Sequence, residues 1–395
     1  MVSLLAKSVF YVGILSSGAV AWSSVGSSDR RGFLQNASRA TGVIGIASIC
    51  GGEVFVDSAQ AASTPGASNT TKENNNVYQP LPGSLLGQVH VITGSSTGLG
   101  LEASKRLAVA GAAVVLTTRT AAKAERAKNQ VQEYLQERSI TNPEIYVVTL
   151  DLDDLASVKS FPDRYSQVLG SRKIDVLMNN AGAITKSREF TKDGFEKTFQ
   201  SNHLGPFVLT SLLFPYLNRN GNGSRIINVS SVAHEFARTV KTGKPGLDMD
   251  NLNGELSYGA DGWEAYGNTK LENILFTEEL QRRADAAGLT WLTVVALHPG
   301  VVGTDIWRST YVSKSNDAMS IKGMTSKLFY NNVLSTEEGA NTQVMLAANV
   351  EVVKGKYYDE YGRVKKLAPF AQDQMKAREL WGVSESLSGC SFKVE

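Results

Sequence analysis

Cysteine, histidine and charge of one sign are all scarce in this chain of 395 residues. The two cysteines, Cys50 and Cys390, stand near opposite ends. Two thiols so placed make neither a disulfide framework nor a metal cluster. The four histidines, His90, His203, His234 and His298, show no H-x-x-x-H or similar ligand spacing, which argues against a metal site. Basic and acidic residues nearly cancel, 40 against 38, and a net charge of +2 asks for neither nucleic acid nor an acidic partner. The early apolar run, Ser8 to Val20, is too short and too rich in Gly and Ser for a membrane span. What is present, 42% hydrophobic against 20% charged residues, is enough for a substantial core.

Residues 1–62 read as a targeting presequence, 63–80 as a linker and 81–395 as the folded domain. Met1 to Ala21 carries one lysine, an apolar stretch and the small-x-small site Ala19-Val20-Ala21, as a signal peptide does. After Trp22 the chain is rich in Ser and Arg, with Asp29 its only acid before Glu53, a transit-peptide composition. Asp29-Arg30-Arg31-Gly32-Phe33-Leu34, the mildly apolar Ala40 to Cys50 and Ala59-Gln60-Ala61 follow the order of a twin-arginine signal. The stack resembles the presequences of plastid proteins in algae with secondary plastids, where an aromatic residue such as Trp22 often follows the first cleavage site. It implies a plastid address with the thylakoid as final station. A single signal peptide to the secretory pathway or ER is the alternative. An uncleaved Ala40 to Cys50 segment would instead give membrane association. Ser63 to Pro80 is polar, with Asn74-Asn75-Asn76 and two prolines, and reads as a linker.

From Gly87 onward, apolar runs of strand length alternate with helical patterns. The strands are His90 to Thr93, Ala113 to Thr117, Ile145 to Leu150, Ile174 to Met178, Arg225 to Val229 and Leu292 to Leu297. Such alternation implies parallel pairing through helical crossovers. The expected fold is α/β: a doubly wound parallel sheet of Rossmann type in a single domain, with ligands at the carboxyl ends of the strands.

Thr93-Gly94-Ser95-Ser96-Thr97-Gly98-Leu99-Gly100 closes the first strand and opens a helix. The glycines let backbone approach a pyrophosphate, and the helix N-terminus favours its charge. The second strand ends at Arg119, where an acid would favour NAD and an arginine accommodates the 2′-phosphate of NADP. Ser230 and Ser231 end a later strand. Tyr266 and Lys270, four apart, share a helical face downstream of it. With Asn179-Asn180-Ala181-Gly182, these motifs and the T-G-x-x-x-G-x-G spacing resemble the short-chain dehydrogenase/reductase family over about Gly87 to Ser388.

That resemblance implies NADP(H) as cofactor, contacted by Gly94, Ser96, Gly98, Leu99, Gly100 and Arg119. Asp151 and Leu152 would frame the adenine, although Asp151 alone could cap the helix starting at Leu155. Asn180, Ala181 and Gly182 would line the cofactor. In Leu297-His298-Pro299-Gly300-Val301-Val302-Gly303-Thr304, the residues Pro299, Gly300, Val302 and Thr304 would hold the nicotinamide carboxamide. Tyr266 would exchange the proton with substrate, and it and Lys270 would also touch the cofactor. An unperturbed phenol, near pKa 10, is too weak a base at neutral pH. The Lys270 ammonium would favour the phenolate. Ser231 would orient the substrate oxygen, and Asn202 would support a water-linked relay to the lysine. His203 and His298 are read as structural.

The long insert Phe236 to Trp263, the run Tyr266 to Phe276 and the tail are similar to the retinol dehydrogenase branch. In the tail, Ser335 and Glu338 suit a capping box. Ile306 to Leu334, with Trp307, Met319, Met324, Leu328 and Phe329, would cover the pocket and suit a small lipophilic substrate. The expected reaction interconverts a carbonyl and an alcohol on a retinoid- or carotenoid-like molecule. One alternative is light-dependent protochlorophyllide reductase, favoured by a plastid address. That branch carries cysteines near its site, whereas none occurs here between Cys50 and Cys390. A second alternative, of another class, is a non-catalytic NADP-binding sensor or scaffold. Such members usually lose the tyrosine or lysine, and both are present. A homodimer through the helices flanking the site is also implied, unless the insert blocks that surface.

Overall fold

The computed structural model describes residues 77–303, 333–349 and 351–395, together with the backbone of one earlier hairpin. Contacts divide the chain into two units, Met1–Glu73 and Asn74–Glu395. In the first, Ser48–Cys50 pairs antiparallel with Glu53–Phe55. Of the Ala40 to Cys50 segment, only that first strand lies within the described residues. Among them, no helix is long and apolar enough to cross a membrane.

The second unit is built on a seven-stranded sheet. Its strands are β1 (Val89–Ile92), β2 (Ala113–Thr118), β3 (Ile145–Thr149), β4 (Val176–Asn179), β5 (Ser224–Val229), β6 (Leu292–Leu297) and β7 (Tyr357–Tyr358). The spatial order is β3-β2-β1-β4-β5-β6-β7, and every neighbouring pair is parallel. Six strands were expected from the sequence. β7 is only two residues long, too short to show a pattern. The strand order reverses between β1 and β4, which is where a doubly wound sheet opens a ligand crevice.

Side chains alternate between two cores because the sheet is covered on both faces. Val91, Leu177, Ile226 and Val294 point to one face, toward Phe161 and Tyr165 of α4 (Phe161–Leu169) and Phe207 of α5 (Gly205–Leu213). Ile92, Met178, Ile227 and Val295 point to the other, toward Leu107 of α1 (Gly98–Val109) and Val131 of α2 (Ala121–Gln136). The short α3 (Leu155–Lys159) is capped by Asp154, whose side chain accepts from Ala156 N at 2.9 Å, and not by Asp151. The longest helix, α6 (Trp263–Ala286), runs against β5 and β6.

The tail closes the unit. Ser335 and Glu338 form the capping box expected of them at the start of α7 (Thr336–Gly339). Helix α8 (Asn341–Ala348) packs on the α1 side, and α9 (Gln374–Ser388) lies along α6. Buried Arg106 of α1 joins the edges: it pairs with Glu102 at 3.0 Å and donates to Tyr78 O and Asn341 Oδ1, each at 2.8 Å, and to Glu337 O. Tyr78, in the stretch read as linker, therefore already belongs to the folded unit.

Candidate active site

Because all seven strands run the same way, the segments that follow them meet at one edge. The glycine loop follows β1. Gly94 (φ +65°) and Gly98 (φ +57°) occupy the left-handed region. A Cβ on Gly94 would lie 2.8 Å from Ala181 Cα, and one on Gly100 would lie 2.5 Å from Asn180 Nδ2. The loop thus closes onto the end of β4, and Thr93 fastens it there. Its hydroxyl accepts from Asn180 N and Ala181 N at 2.9 Å each, while Asn180 Nδ2 donates to Thr93 O at 2.8 Å. Asn180 thereby braces the loop. Asn179 faces the other way and donates to Asn228 Oδ1 at 2.8 Å. Thr97 precedes α1 without a side-chain cap, which leaves first-turn amides for an anion. Ser96, Leu99 and Ala181 are half-buried around this opening, and Gly182 is exposed.

Arg119 projects from the end of β2, its side chain 55% exposed and 3.4 Å from Asp153 Oδ2. An ion pair this open is weak and exchangeable. Asp151 accepts from Asp153 N at 3.1 Å, a turn that presents Leu152 toward the core. Pro299 and Gly300 (φ +77°) follow β6, and Val302 is buried against Gly339, where a Cβ would meet it at 2.4 Å. Thr304, and Ile306 to Asn332 of the expected pocket cover, lie outside the described residues.

The other half of the edge is built from side chains. Ser231 follows β5, accepts from Ala233 N at 3.1 Å and is hydrogen-bonded to the Tyr266 hydroxyl. Lys270, 3% exposed, donates from Nζ to Val229 O at 3.0 Å and lies 5.4 Å from the Tyr266 ring centroid. Ser230 Oγ donates to Lys270 O at 2.7 Å and pins the helix backbone there. Asn202 is a clamp. Its Oδ1 accepts from Ala183 N at 2.7 Å, and its Nδ2 donates to Ala183 O at 2.8 Å and Thr269 Oγ1 at 3.0 Å. Ser231 thus meets Tyr266 directly, Asn202 reaches the same helix through Thr269, and Lys270 stands beside the Tyr266 ring.

Burial pushes the Tyr266 phenol up to about 12, and its bond with Ser231 pulls it back in part. Burial pushes the Lys270 ammonium down to about 8. In the protein by itself burial governs the phenol, and Ser231, not the expected Lys270, is what lowers it. The phenol is stored as an acid beside a lysine whose charge is costly to keep.

Three features escaped the sequence. Trp263 stands edge-on to Tyr266, with centroids 5.9 Å apart, one turn earlier on α6. Tyr258 of the insert donates to Glu196 Oε1 at 2.9 Å and meets Thr185, while Gly262 (φ +75°) has no room for a Cβ against Thr185 O. Glu272, 1% exposed, has neither carboxyl oxygen hydrogen-bonded. Its carboxyl is pushed well above the usual range by burial and by Glu196. An acid between Leu271 and the apolar run Ile274-Leu275-Phe276 was the available signal. Among the described residues no group of three or more His, Cys, Asp or Glu gathers as metal ligands.

A glycine loop at a switch point facing a serine-tyrosine-lysine cluster defines a nucleotide-dependent oxidoreductase scaffold. The family model described as short chain dehydrogenase matches residues 88–242. Human retinol dehydrogenase 14 is 35% identical over 318 residues, covering 78% of this chain and 88% of that protein. Mouse retinol dehydrogenase 12 is 34% identical over 309 residues, with the same coverages. A solved structure of an uncharacterized protein from Mycobacterium paratuberculosis superposes with a TM-score of 0.59 at 30% identity, covering 80% of this chain and 99% of that one. The chain belongs to the short-chain dehydrogenase/reductase family. Within it, the similarity places the chain in the retinol dehydrogenase-like branch.

Proposed function

We propose that this protein is an NADP(H)-dependent oxidoreductase that interconverts a carbonyl and an alcohol on a lipophilic, retinoid- or carotenoid-like substrate. The observation that carries the reading is the cluster of half-buried Ser231 and Tyr266 with buried Lys270, at the strand edge shared with the glycine loop. The residues fit a dinucleotide: uncapped amides at α1 suit the pyrophosphate, and exposed Arg119 suits a 2′-phosphate. When bound, the nicotinamide supplies or takes the hydride. Ser231 orients the substrate oxygen. Tyr266 gives that oxygen its proton in reduction and removes it in oxidation. Lys270, held by Val229 O, lowers the cost of the phenolate left behind. Asn202 fixes the turn beside them. The apolar Trp263 ring beside Tyr266 suits a lipophilic substrate.

The test follows NADPH and NADH oxidation by the purified protein with all-trans-retinal and with protochlorophyllide, each in darkness and in light. Dark turnover of retinal, faster with NADPH, supports the reading. Turnover of protochlorophyllide alone, and only in light, replaces it. NADPH binding without turnover of either, unchanged in Tyr266→Phe, favours a sensor. The plastid address belongs to the same proposal, and a fluorescent fusion of residues 1–62 tests it.

A further inference from the structure

Between the helical turn Lys197–Phe199 and α5 lies a single π turn, Gln200–Leu204. Such an inserted residue widens a helix and recurs at functional sites. Here four successive side chains fan out to different parts of the fold. Gln200 Nε2 donates to Leu152 O at 3.2 Å and Asp193 Oδ2 at 2.8 Å. Ser201 donates to Asp153. Asn202 clamps Ala183 and Thr269. His203 Nε2 meets Ser384 Oγ of α9 at 2.8 Å. The partners of the first three lie in loops around the site, save Thr269 on α6. The fourth comes from the C-terminal helix, 181 residues away in the chain.

A second bond of Ser384 assigns the direction of that last one. The single Ser384 hydroxyl hydrogen goes to Leu380 O at 2.7 Å, so Ser384 accepts and His203 Nε2 carries the proton. Burial holds the imidazole down at about 3, so it stays neutral through the working pH range. Phe199, Phe207 and Phe276 surround the ring, with centroids at 5.8, 6.3 and 6.2 Å. The space that His203, Phe207 and Phe276 enclose with Ala377, Leu380 and Trp381 has no room for a water molecule. Solvent therefore cannot replace the bond if it is lost, and the ring and its turn must move instead.

We propose that α9 is a positioning element of the catalytic turn, acting through the His203–Ser384 hydrogen bond to set where Asn202 sits. Neither residue touches substrate or cofactor. The proposal rests on reading Asn202 as part of the site, so its test has a readout that needs no turnover. Ala183 N–H is held by Asn202 Oδ1 and reports the clamp, while Val91 in the central strand reports global stability. Amide hydrogen exchange is measured by NMR on the full-length protein and on Ser384→Ala, His203→Leu, His203→Gln and Ser384→Thr. Ser384→Ala and His203→Leu should speed exchange at Ala183 roughly tenfold and leave Val91 unchanged. His203→Gln, which keeps an N–H of similar reach, and Ser384→Thr should restore protection. With retinal as probe, kcat should fall while NADPH affinity holds. If Ser384→Ala leaves Ala183 protection intact, or if Ala183 and Val91 shift together, the link is only structural and the proposal is overturned. Should His203→Leu fail to fold, Ser384→Ala decides alone.

Discussion

The two halves of the active-site edge are built by opposite means. The half from β1 to β3 works through missing side chains and main-chain groups: Gly94, Gly98 and Gly100, the uncapped start of α1, and one exposed arginine. The half from β5 to β6 works through ionisable side chains taken out of water. Burial holds the Tyr266 phenol up at about 12 and the Lys270 ammonium down at about 8, and it raises the Glu272 carboxyl on the same helix well above its usual range. A cofactor half of this kind recognises shape and a fixed charge. A catalytic half of the other kind stores protons, and its tuning depends on staying dry.

Four substitutions would break or sharpen that contrast, and the largest effect falls in the dry half. Tyr266→Phe should lower kcat by about 10²- to 10⁴-fold, checked by steady-state kinetics, with NADPH affinity from fluorescence titration unchanged. Arg119→Ala should weaken NADPH by roughly 10- to 100-fold and leave NADH alone, as titration of both would show. Equal weakening of the two would remove Arg119 from 2′-phosphate recognition. Gly100→Ala forces a methyl against Asn180 Nδ2 and Gly94 O, within 2.5 and 2.7 Å, and should cost about 1–3 kcal/mol in denaturant unfolding.

The smallest effect is expected from Glu272→Gln, and its sign depends on pH. The folded-state carboxyl is raised above its unfolded value, so its share of stability is complete below the unfolded pKa and is lost as pH rises. The amide has no such loss. The variant should match the parent near pH 4 and melt higher by pH 8, with the gap widening between. A constant gap across pH would mean that the Glu272 carboxyl titrates alike in the folded and unfolded chain, and would remove it from the dry half.

This asymmetry also explains what could be read beforehand. The glycine spacing, Arg119 at the end of β2 and the six longer strands were legible because turn geometry and periodicity are written locally. Tyr266 and Lys270 were legible because four residues make one helical face. The pKa shifts were not, since they follow from what covers α6 after folding. An acidifying effect of Lys270 was expected, but burial raises the phenol and only the bond from Ser231 pulls it back. Asp154 rather than Asp151 caps α3 because the turn at Asp151 closes first on Asp153 N. The π turn could not be foreseen either, because its partners Asp153, Ala183, Thr269 and Ser384 are scattered along the chain.

Arg106 carries a consequence for the proposed removal of the leader. Its guanidinium, wholly buried, needs the carbonyl of Tyr78 as one of its acceptors, and Tyr78 in turn reaches Asn341 and Asn349. A protease that trims the leader back to any residue before Tyr78 leaves this knot tied. Trimming one step further would expose a cation with an acceptor missing, at a cost of about 1–3 kcal/mol. If the proposed leader is removed, Arg106 thereby limits how close to Tyr78 the cut can fall without loss of stability.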